Sequence, residues 1–246
     1  MYQVMDAHPV TVVVIIAAML GVPLYIFGTY VFSNASPWKG AVIAVGFQLW
    51  GAFMTWVCLA NAARSLGPFG RLVVPACWAG PTLVLLFFRG WFLDRPLSQH
   101  WLIGLQLWRA IGGVFLIEMS REHIPGIFAY PAGLGDLFVS GLAAVVLLRY
   151  GWQPTIPRLA ILLVIGFGVA DFLSAFFFGF TSSRGPQQLF FPAVANDVSL
   201  FPTGLIPLFL VPGAIFFHTL SWLELRRAST GSTLVDARTE VLAGTA

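Results

Sequence analysis

The amino-acid sequence predicts an all-α integral membrane protein, a bundle of seven transmembrane helices. The chain of 246 residues is 58% hydrophobic and 9% charged, and its mean hydropathy is +0.86. Typical soluble domains contain about 25% charged residues. Several apolar runs are about twenty residues long, the length that an α-helix needs to cross the hydrocarbon core. Residues 1–225 are therefore predicted to form one transmembrane helical domain, and residues 226–246 a flexible cytoplasmic C-terminal tail.

The seven apolar runs are separated by segments that contain charged, proline or glycine residues. They lie at residues 9–32, 40–62, 71–92, 98–119, 133–149, 157–180 and 200–224. The residues before the first run contain no lysine or arginine, and no small-residue cleavage site follows that run. The first helix is thus predicted to be retained and not removed as a signal peptide.

The distribution of basic residues predicts the orientation. The loops after the first, third and fifth spans and the tail contain Lys39, Arg89, Arg95, Arg149, Arg158, Arg226 and Arg227. The opposite loops contain Arg64, Arg71, Arg121 and Arg184. Basic residues concentrate on the cytoplasmic side, which predicts an N-terminus outside and a C-terminus in the cytoplasm, in a bacterial inner membrane. An interfacial tryptophan belt at the predicted cytoplasmic ends agrees: Trp38, Trp91, Trp101, Trp152 and Trp222.

Arg109 lies near the middle of the fourth span and is the strongest indication of function. An arginine at this depth costs at least about 2.5 kcal/mol unless it is paired or hydrated. The span carries a stripe of polar and small residues, Gln106, Arg109, Gly112 and Gly113. At the α-helical angle of about 100° per residue, Gln106 and Gly113 fall within a narrow arc that includes Arg109. This stripe is predicted to face other helices, because lipid offers polar groups no partner.

Asp171 is the predicted partner of Arg109. It lies near the middle of the sixth span, which runs in the same direction as the fourth, on a stripe of small and polar residues. One interpretation is a ligand or proton site formed by Arg109, Asp171 and Gln106, where Asp171 titrates or binds a cation. Arg109 then holds an anionic group or stabilises the carboxylate. The other interpretation is a structural ion pair that fixes the helix register.

Acidic residues gather at the predicted outer ends of the spans. With one histidine they form a predicted outer entrance for a cation: Glu118, Glu122, His123, Asp136 and Asp197. The alternative is ordinary interfacial polarity, with Arg121 and Arg184 neutralising the acids. Asp136 has a further interpretation as the cap of the fifth span. No spacing resembles a metal-binding signature, so no metal site is predicted.

Two prolines interrupt the last span. Pro207 and Pro212 remove helix hydrogen bonds and free the carbonyls of Thr203 and Leu208. Broken backbone at membrane depth is tolerated only against protein or a water-filled cavity. The prolines therefore predict either a hinge in a cavity wall or a static kink.

His218 and His100 are the candidates for a proton shuttle or for the axial ligands of a haem near the inner face. The alternative is a hydrogen-bonded histidine in the core. No cofactor is otherwise assumed, since haem or another pigment is the less favoured interpretation. Cys58 and Cys77 are predicted at similar depth and form either a disulfide or two buried thiols.

The preferred function is a small-molecule or ion transporter or channel, coupled to protons through Asp171. One alternative is a cofactor-binding or structural subunit of a respiratory or photosynthetic complex, with membrane-protein partners. Another is a lipid-modifying enzyme, the less favoured class. The sequence contains no P-loop, GxGxxG, HExxH or GxSxG motif. It has no basic run for nucleic acid, and no lysine in the last span for a retinal Schiff base. The predicted partners are the lipid bilayer and a small-molecule or ion ligand.

Overall fold

The computed structural model describes residues 4–62, 70 and 72–243, with side chains to residue 228. In this part of the chain the structure is all-helical, without β-strands. Six of its helices are long and apolar enough to cross a membrane, with 18-residue windows of mean hydropathy from 1.4 to 2.6. These helices are those expected of a multi-pass protein in a lipid bilayer.

The helices are numbered in chain order. They are α1 (Pro9–Phe32), α2 (Pro37–Leu59), α3 (Val73–Phe87), α4 (Arg89–Phe92), α5 (Gln99–Ser120), α6 (Gly126–Tyr150), α7 (Arg158–Ser182) and α8, a π-helical turn (Ile206–Leu210) that continues as an α-helix (Val211–Ala243). Proline stands at the first turn of α1 and α2, where its missing N–H is tolerated. The backbone of α8 is helical as far as Ala243, and the flexibility of residues 226–246 stays a prediction.

The third predicted span, residues 71–92, is divided between two helices. Helix α3 contains 15 residues, a rise of about 22 Å, which is shorter than the hydrocarbon core of about 30 Å. The short helix α4 follows directly after Phe88. Six helices within the described residues therefore meet the length of a span, where the sequence predicted seven. Arg64 and Arg71, used to predict the orientation, lie outside the described residues.

Helix α6 begins seven residues before the predicted start of the fifth span. Pro125 precedes its first turn, and the Pro125 carbonyl accepts hydrogen bonds from the N–H groups of Phe128 and Ala129, both at 3.0 Å. Pro131 lies inside the helix and does not end it. Asp136 is consequently ten residues, or about 15 Å, inside α6. The interpretation of Asp136 as the cap of this helix is therefore wrong.

Helix α5 changes from α to 3₁₀ geometry between Leu105 and Gly113. In a 3₁₀ helix the side chains at positions i and i+3 are aligned. Gln106, Arg109 and Gly112 therefore share one buried face, whereas a Cβ atom on Gly113 would meet Leu137 at an ordinary 3.4 Å. Of the two glycines in the predicted stripe, Gly112 and not Gly113 is therefore in line with Arg109.

Two sets of contacts mark opposite ends of the bundle. At one end, here called the mouth, the loop between α7 and α8 lies against the end of α5, and the Asp197 N–H donates to the His123 carbonyl at 3.3 Å. At the other end, the Lys39 ammonium lies 2.8 Å from an Asp94 carboxylate oxygen. The hydrogen bond from Lys39 lowers the pKa of Asp94.

Candidate functional site

Arg109 lies at the centre of the bundle and is 6% exposed. All three nitrogens of its guanidinium are engaged. Nε donates to Asp136 Oδ1 at 2.8 Å, Nη2 donates to Asp171 Oδ2, and Nη1 donates to the Gly168 carbonyl at 3.2 Å. The Phe172 ring lies against the guanidinium, with its centroid 3.9 Å from Cζ. Arg109 is thus held by α6 and α7, and Asp171, the candidate partner suggested by its depth in the sixth span, is in contact with it.

His218 of α8 completes this cluster. Its Nε2 lies 3.5 Å from Arg109 Nη1, and its ring packs edge-on against Phe172 at 6.0 Å between centroids. Because guanidinium groups only donate, the facing Nε2 is assigned as an acceptor, which places the proton on Nδ1 of a neutral imidazole. His100 lies on α5, about 15 Å from Arg109 along the helix axis. Its Nε2 lies 3.2 Å from the Tyr150 carbonyl oxygen. The two histidines do not face each other, contrary to the haem interpretation.

Glycines create the space for the charged groups. Three glycines, one each from α5, α6 and α7, lie directly against them: Gly112 against Asp136, Gly135 against Asp171, and Gly168 against His218 and Arg109. A Cβ atom at any of the three would overlap those side chains. The close approach of the three helices around Arg109 therefore requires glycine at these positions.

The charges of the cluster do not cancel when both carboxylates are ionised. Arg109 contributes one positive charge, Asp136 and Asp171 contribute two negative charges, and His218 is neutral. A buried charge is stable only when it is paired or neutralised. The cluster therefore needs one more positive charge to become neutral, and a proton or a bound cation would supply it.

A cavity of about 740 Å³ extends from the mouth to the two carboxylates. Arg184, which is exposed, and Asp197 line its outer part, and Asp136 and Asp171 line its inner end. Arg109 lies behind the carboxylates and is not among the residues that line this cavity. Its volume is in the range of small-molecule sites, about 300–1,000 Å³.

A second cavity of about 40 Å³ lies on the other side of the cluster. Arg109, Trp108 and Leu210 are among the residues that line it. Asp136 and Phe172 line both cavities, so these two side chains form part of the wall between them. The small cavity is large enough for about one water molecule.

Glu118 joins the end of α5 to the start of α1. It is 0% exposed, and its carboxylate accepts hydrogen bonds from the His8 N–H at 2.9 Å and from the Thr11 hydroxyl at 2.5 Å. His123 Nδ1 lies 2.9 Å from the other carboxylate oxygen. These contacts make Glu118 a structural link between two helices.

The predicted outer entrance is divided by the fold. Asp197 lines the mouth of the large cavity and Asp136 its inner end, whereas Glu118, Glu122 and His123 are not among the described residues that line it. Glu122 is exposed and has φ 62°, because it occupies the left-handed position that follows the C-terminus of α5. Two of the five predicted residues therefore line this cavity and three do not, and the outer entrance stays a prediction.

Gln106 is 1% exposed and lies one 3₁₀ turn before Arg109. Its side-chain oxygen has no hydrogen-bond partner among the described residues, and Gln106 lines neither cavity. Its part in a ligand site stays a prediction.

The π-helical turn of α8 leaves two carbonyls for tryptophans. The Val211 N–H bonds to the Ile206 carbonyl, and Pro212 has no N–H, so the Pro207 and Leu208 carbonyls lose their helical donors. Two indole groups replace those donors: Trp78 Nε1 donates to the Pro207 carbonyl at 2.8 Å, and Trp50 Nε1 to the Leu208 carbonyl at 3.0 Å. The freed Leu208 carbonyl was predicted from Pro212. The two tryptophans were not, because they come from α2 and α3.

The described part of the chain contains neither a disulfide bond nor a cluster of side chains that could bind a metal ion. Cys58 and Cys77 are both free and buried. No group of three or more histidine, cysteine, aspartate or glutamate side chains that could hold a metal ion is found in residues 4–62, 70 and 72–228.

Residues 69–226 match the family described as a domain of unknown function, DUF8737. The matched segment contains Arg109, Asp136, Asp171 and His218, and so includes the whole charged cluster. No curated protein and no solved structure matches the chain.

Proposed function

This chain belongs to the DUF8737 family of domains of unknown function, and we propose that it is a small-molecule or ion transporter or channel, coupled to protons through Asp171. The observation that carries this proposal is the cavity of about 740 Å³, which leads from the mouth to Asp136 and Asp171. Ionisable residues at membrane depth are commonly parts of ion or proton pathways.

Asp171 and Arg109 have different parts in the proposed mechanism. Because all three guanidinium nitrogens already have acceptors, Arg109 stabilises the carboxylates and does not hold the transported ligand. Asp171 takes up a proton or a cation, which brings the net charge of the cluster from −1 to zero. Movement of the wall between the cavities then depends on which species occupies Asp171.

The moving wall in this proposal is the π-helical turn of α8. Ile206 and Val211, at its two ends, line both the large and the small cavity. The turn contains Pro207, and its Pro207 and Leu208 carbonyls bond to indole groups and not to backbone N–H groups. A change of its backbone therefore exchanges side-chain bonds without breaking a regular α-helical ladder. The proposal thus adopts the hinge, one of the two alternatives that the prolines predicted, and not the static kink.

We further propose seven spans, with the N-terminus outside and the C-terminus in the cytoplasm of a bacterial inner membrane. Support comes from the depth that α3 and α4 cover together. Cys77 contacts Met54 near the end of α2, with 3.8 Å between the sulfur atoms. The Trp91 carbonyl accepts from Lys39 near the start of α2, at 2.8 Å. Residues 73–92 thus extend along most of the length of a helix that is itself long enough to span.

The function is tested in proteoliposomes that contain the full chain and a pH-sensitive dye. Cationic, neutral and anionic organic solutes are added in turn, and solute-dependent proton movement is recorded. We expect at least one class to move protons, and Asp171→Asn to reduce the rate at least tenfold. Asp6→Asn is the matched control, since the Asp6 side chain is 94% exposed, and its rate should equal that of the wild type.

Two results contradict the proposal. One is the absence of solute-dependent proton movement with all three classes, and the other is an unchanged rate in folded Asp171→Asn. An absorption spectrum and mass analysis of the gently purified protein test the alternative of a complex subunit. A visible band or a tightly held partner chain would favour that alternative.

A further inference from the structure

Aromatic side chains form much of the wall of the large cavity. Six line it: Trp78, Phe115, Phe128, Phe172, Phe176 and Phe180. The Trp78 ring centroid lies 5.5 Å from that of Phe176 and 6.0 Å from that of Phe172. The bond from Trp78 Nε1 to the Pro207 carbonyl fixes the orientation of the indole. Fixed aromatic faces attract cations through their quadrupoles.

The inner end of the cavity presents negative charge. Asp136 and Asp171 line it, whereas Arg109 lies behind them and lines the small cavity instead. One face of Phe172 is also occupied by the Arg109 guanidinium. A ligand in the large cavity therefore meets the two carboxylates before the guanidinium, in surroundings where the field is weakly screened.

The outer part of the cavity contains further hydrogen-bond acceptors, on Asp197 and Gln187. Arg184 and Asp197 contribute opposite charges there. Gln187 also lines this region, and its side-chain oxygen is buried without a hydrogen-bond partner among the described residues. Its side-chain nitrogen faces the Ser183 and Arg184 carbonyls at 3.3 and 3.4 Å, which fixes the oxygen as the unpaired atom.

We propose that the large cavity binds a hydrophobic organic cation, such as a protonated amine or a quaternary ammonium or phosphonium ion. The aromatic wall takes up the apolar groups, and Asp136 and Asp171 neutralise the charge. An anion would meet these carboxylates while every nitrogen of Arg109 is already engaged. A bare metal ion would leave most of a cavity of about 740 Å³ unfilled. This inference rests on the proposed function for its biological role, and it names the substrate class.

Cation binding and protonation compete in this site. The charged and titratable groups around Asp171 are Arg109 from α5, Asp136 from α6 and His218 from α8. When the carboxylate pair holds a proton, the arriving cation displaces it, the O–H bond breaks, and the proton leaves to bulk water. Each bound cation thus releases up to one proton, and binding weakens as the pH falls.

The test compares two ions of the same shape and opposite charge. Tetraphenylphosphonium and tetraphenylborate are each equilibrated with the full chain in lipid nanodiscs, and partition into empty nanodiscs is subtracted. We expect saturable binding of tetraphenylphosphonium only. Its affinity should fall at least tenfold in Asp171→Asn and about threefold or more in Phe176→Leu, which removes an aromatic face of the cavity. Asp6→Asn should bind as the wild type does.

Several outcomes overturn the inference. They are equal saturable binding of tetraphenylborate, absence of saturable tetraphenylphosphonium binding, and unchanged affinity in Asp171→Asn. If Asp171→Asn does not fold, two other measurements test the inference. They are the affinity of Phe176→Leu for tetraphenylphosphonium and the release of protons when the wild type binds this ion. Wild-type binding without proton release, together with unchanged affinity in Phe176→Leu, then overturns it.

Failure of this inference differs from failure of the proposed function. Asp171-dependent proton movement with only neutral or anionic solutes supports transport and overturns the cation class. Saturable tetraphenylphosphonium binding without proton movement in proteoliposomes supports the binding site and contradicts proton-coupled transport.

Discussion

Arg109 connects four helices through one side chain. Its guanidinium has five N–H donors in a fixed plane, and the fold supplies acceptors from α6, α7 and α8. Lysine at this position would offer a single ammonium group and could not reach the same acceptors in the same geometry. Removal of Arg109 would leave two carboxylates buried without their cation, a loss of about 3–5 kcal/mol.

Gly168 provides a direct test of the packing around this cluster. We predict that Gly168→Ala lowers the free energy of unfolding by about 1–3 kcal/mol, because the added methyl group overlaps His218 and Arg109. Thermal unfolding of the purified protein in detergent measures the effect.

Gly166→Ala is the control for this substitution. Gly166 lies on the same helix, and a Cβ atom there meets nothing within 4 Å, so alanine should leave stability unchanged or raise it slightly. Equal melting temperatures for the two variants would show that the space beside Gly168 is not needed.

At the scale of the element, two helices depart from α geometry where they meet the site. The 3₁₀ segment of α5 aligns Gln106, Arg109 and Gly112 on one face, and the π-helical turn of α8 forms a wall of both cavities. Each departure changes which residues face the centre of the bundle. The unusual turn of α8 persists because side chains from α2 and α3 replace its missing backbone donors.

Trp50 tests this account of α8. We predict that Trp50→Phe destabilises the protein by about 1–3 kcal/mol, since it leaves the Leu208 carbonyl without the donor that now lies 3.0 Å away. The measurement is again thermal unfolding in detergent. Trp152→Phe is the comparison, because Trp152 is 98% exposed and donates to no carbonyl of α8. If Trp50→Phe and Trp152→Phe both have the melting temperature of the wild type, the hydrogen bond from the Trp50 indole does not stabilise the turn.

At the scale of the whole molecule, the segment of α3 and α4 decides the topology. With seven spans the two ends of the described chain lie on opposite sides of the membrane, and with six they lie on the same side. The segment places Trp78 in the cavity wall and Trp91 beside Lys39, so it contributes both to the site and to the end opposite the mouth.

Reporter insertion on either side of this segment measures its topology. We predict that reporters placed after residue 62 and after residue 95 lie on opposite faces of the membrane, because residues 73–92 extend along most of α2. A pair after residues 34 and 95 is the control, since Ser36 lies 3.4 Å from Asp94 and both positions should report the same face. Reporters after 62 and 95 on one face would exclude the seventh span.

Composition and the length of the apolar runs were enough to predict a multi-pass membrane protein and a buried environment for Arg109, because both depend on local properties of the chain. They made Asp171 a candidate partner by depth, without showing that the two side chains touch. Run length determines which segments can cross lipid, and a charge within such a run must be buried against protein. The same reasoning predicted from Pro212 that the Leu208 carbonyl would need another donor.

The tertiary structure alone determined which side chains surround Arg109. Its partners Asp136, Asp171 and His218 are 27, 62 and 109 positions away, and periodicity carries no information about helix order in a bundle. Asp136 was misplaced because Pro131 and the neighbouring glycines resemble a helix boundary, yet packing in the bundle keeps α6 helical through them. The glycines opposite each charge allow the helices to approach closely, and that close approach brings the four side chains together.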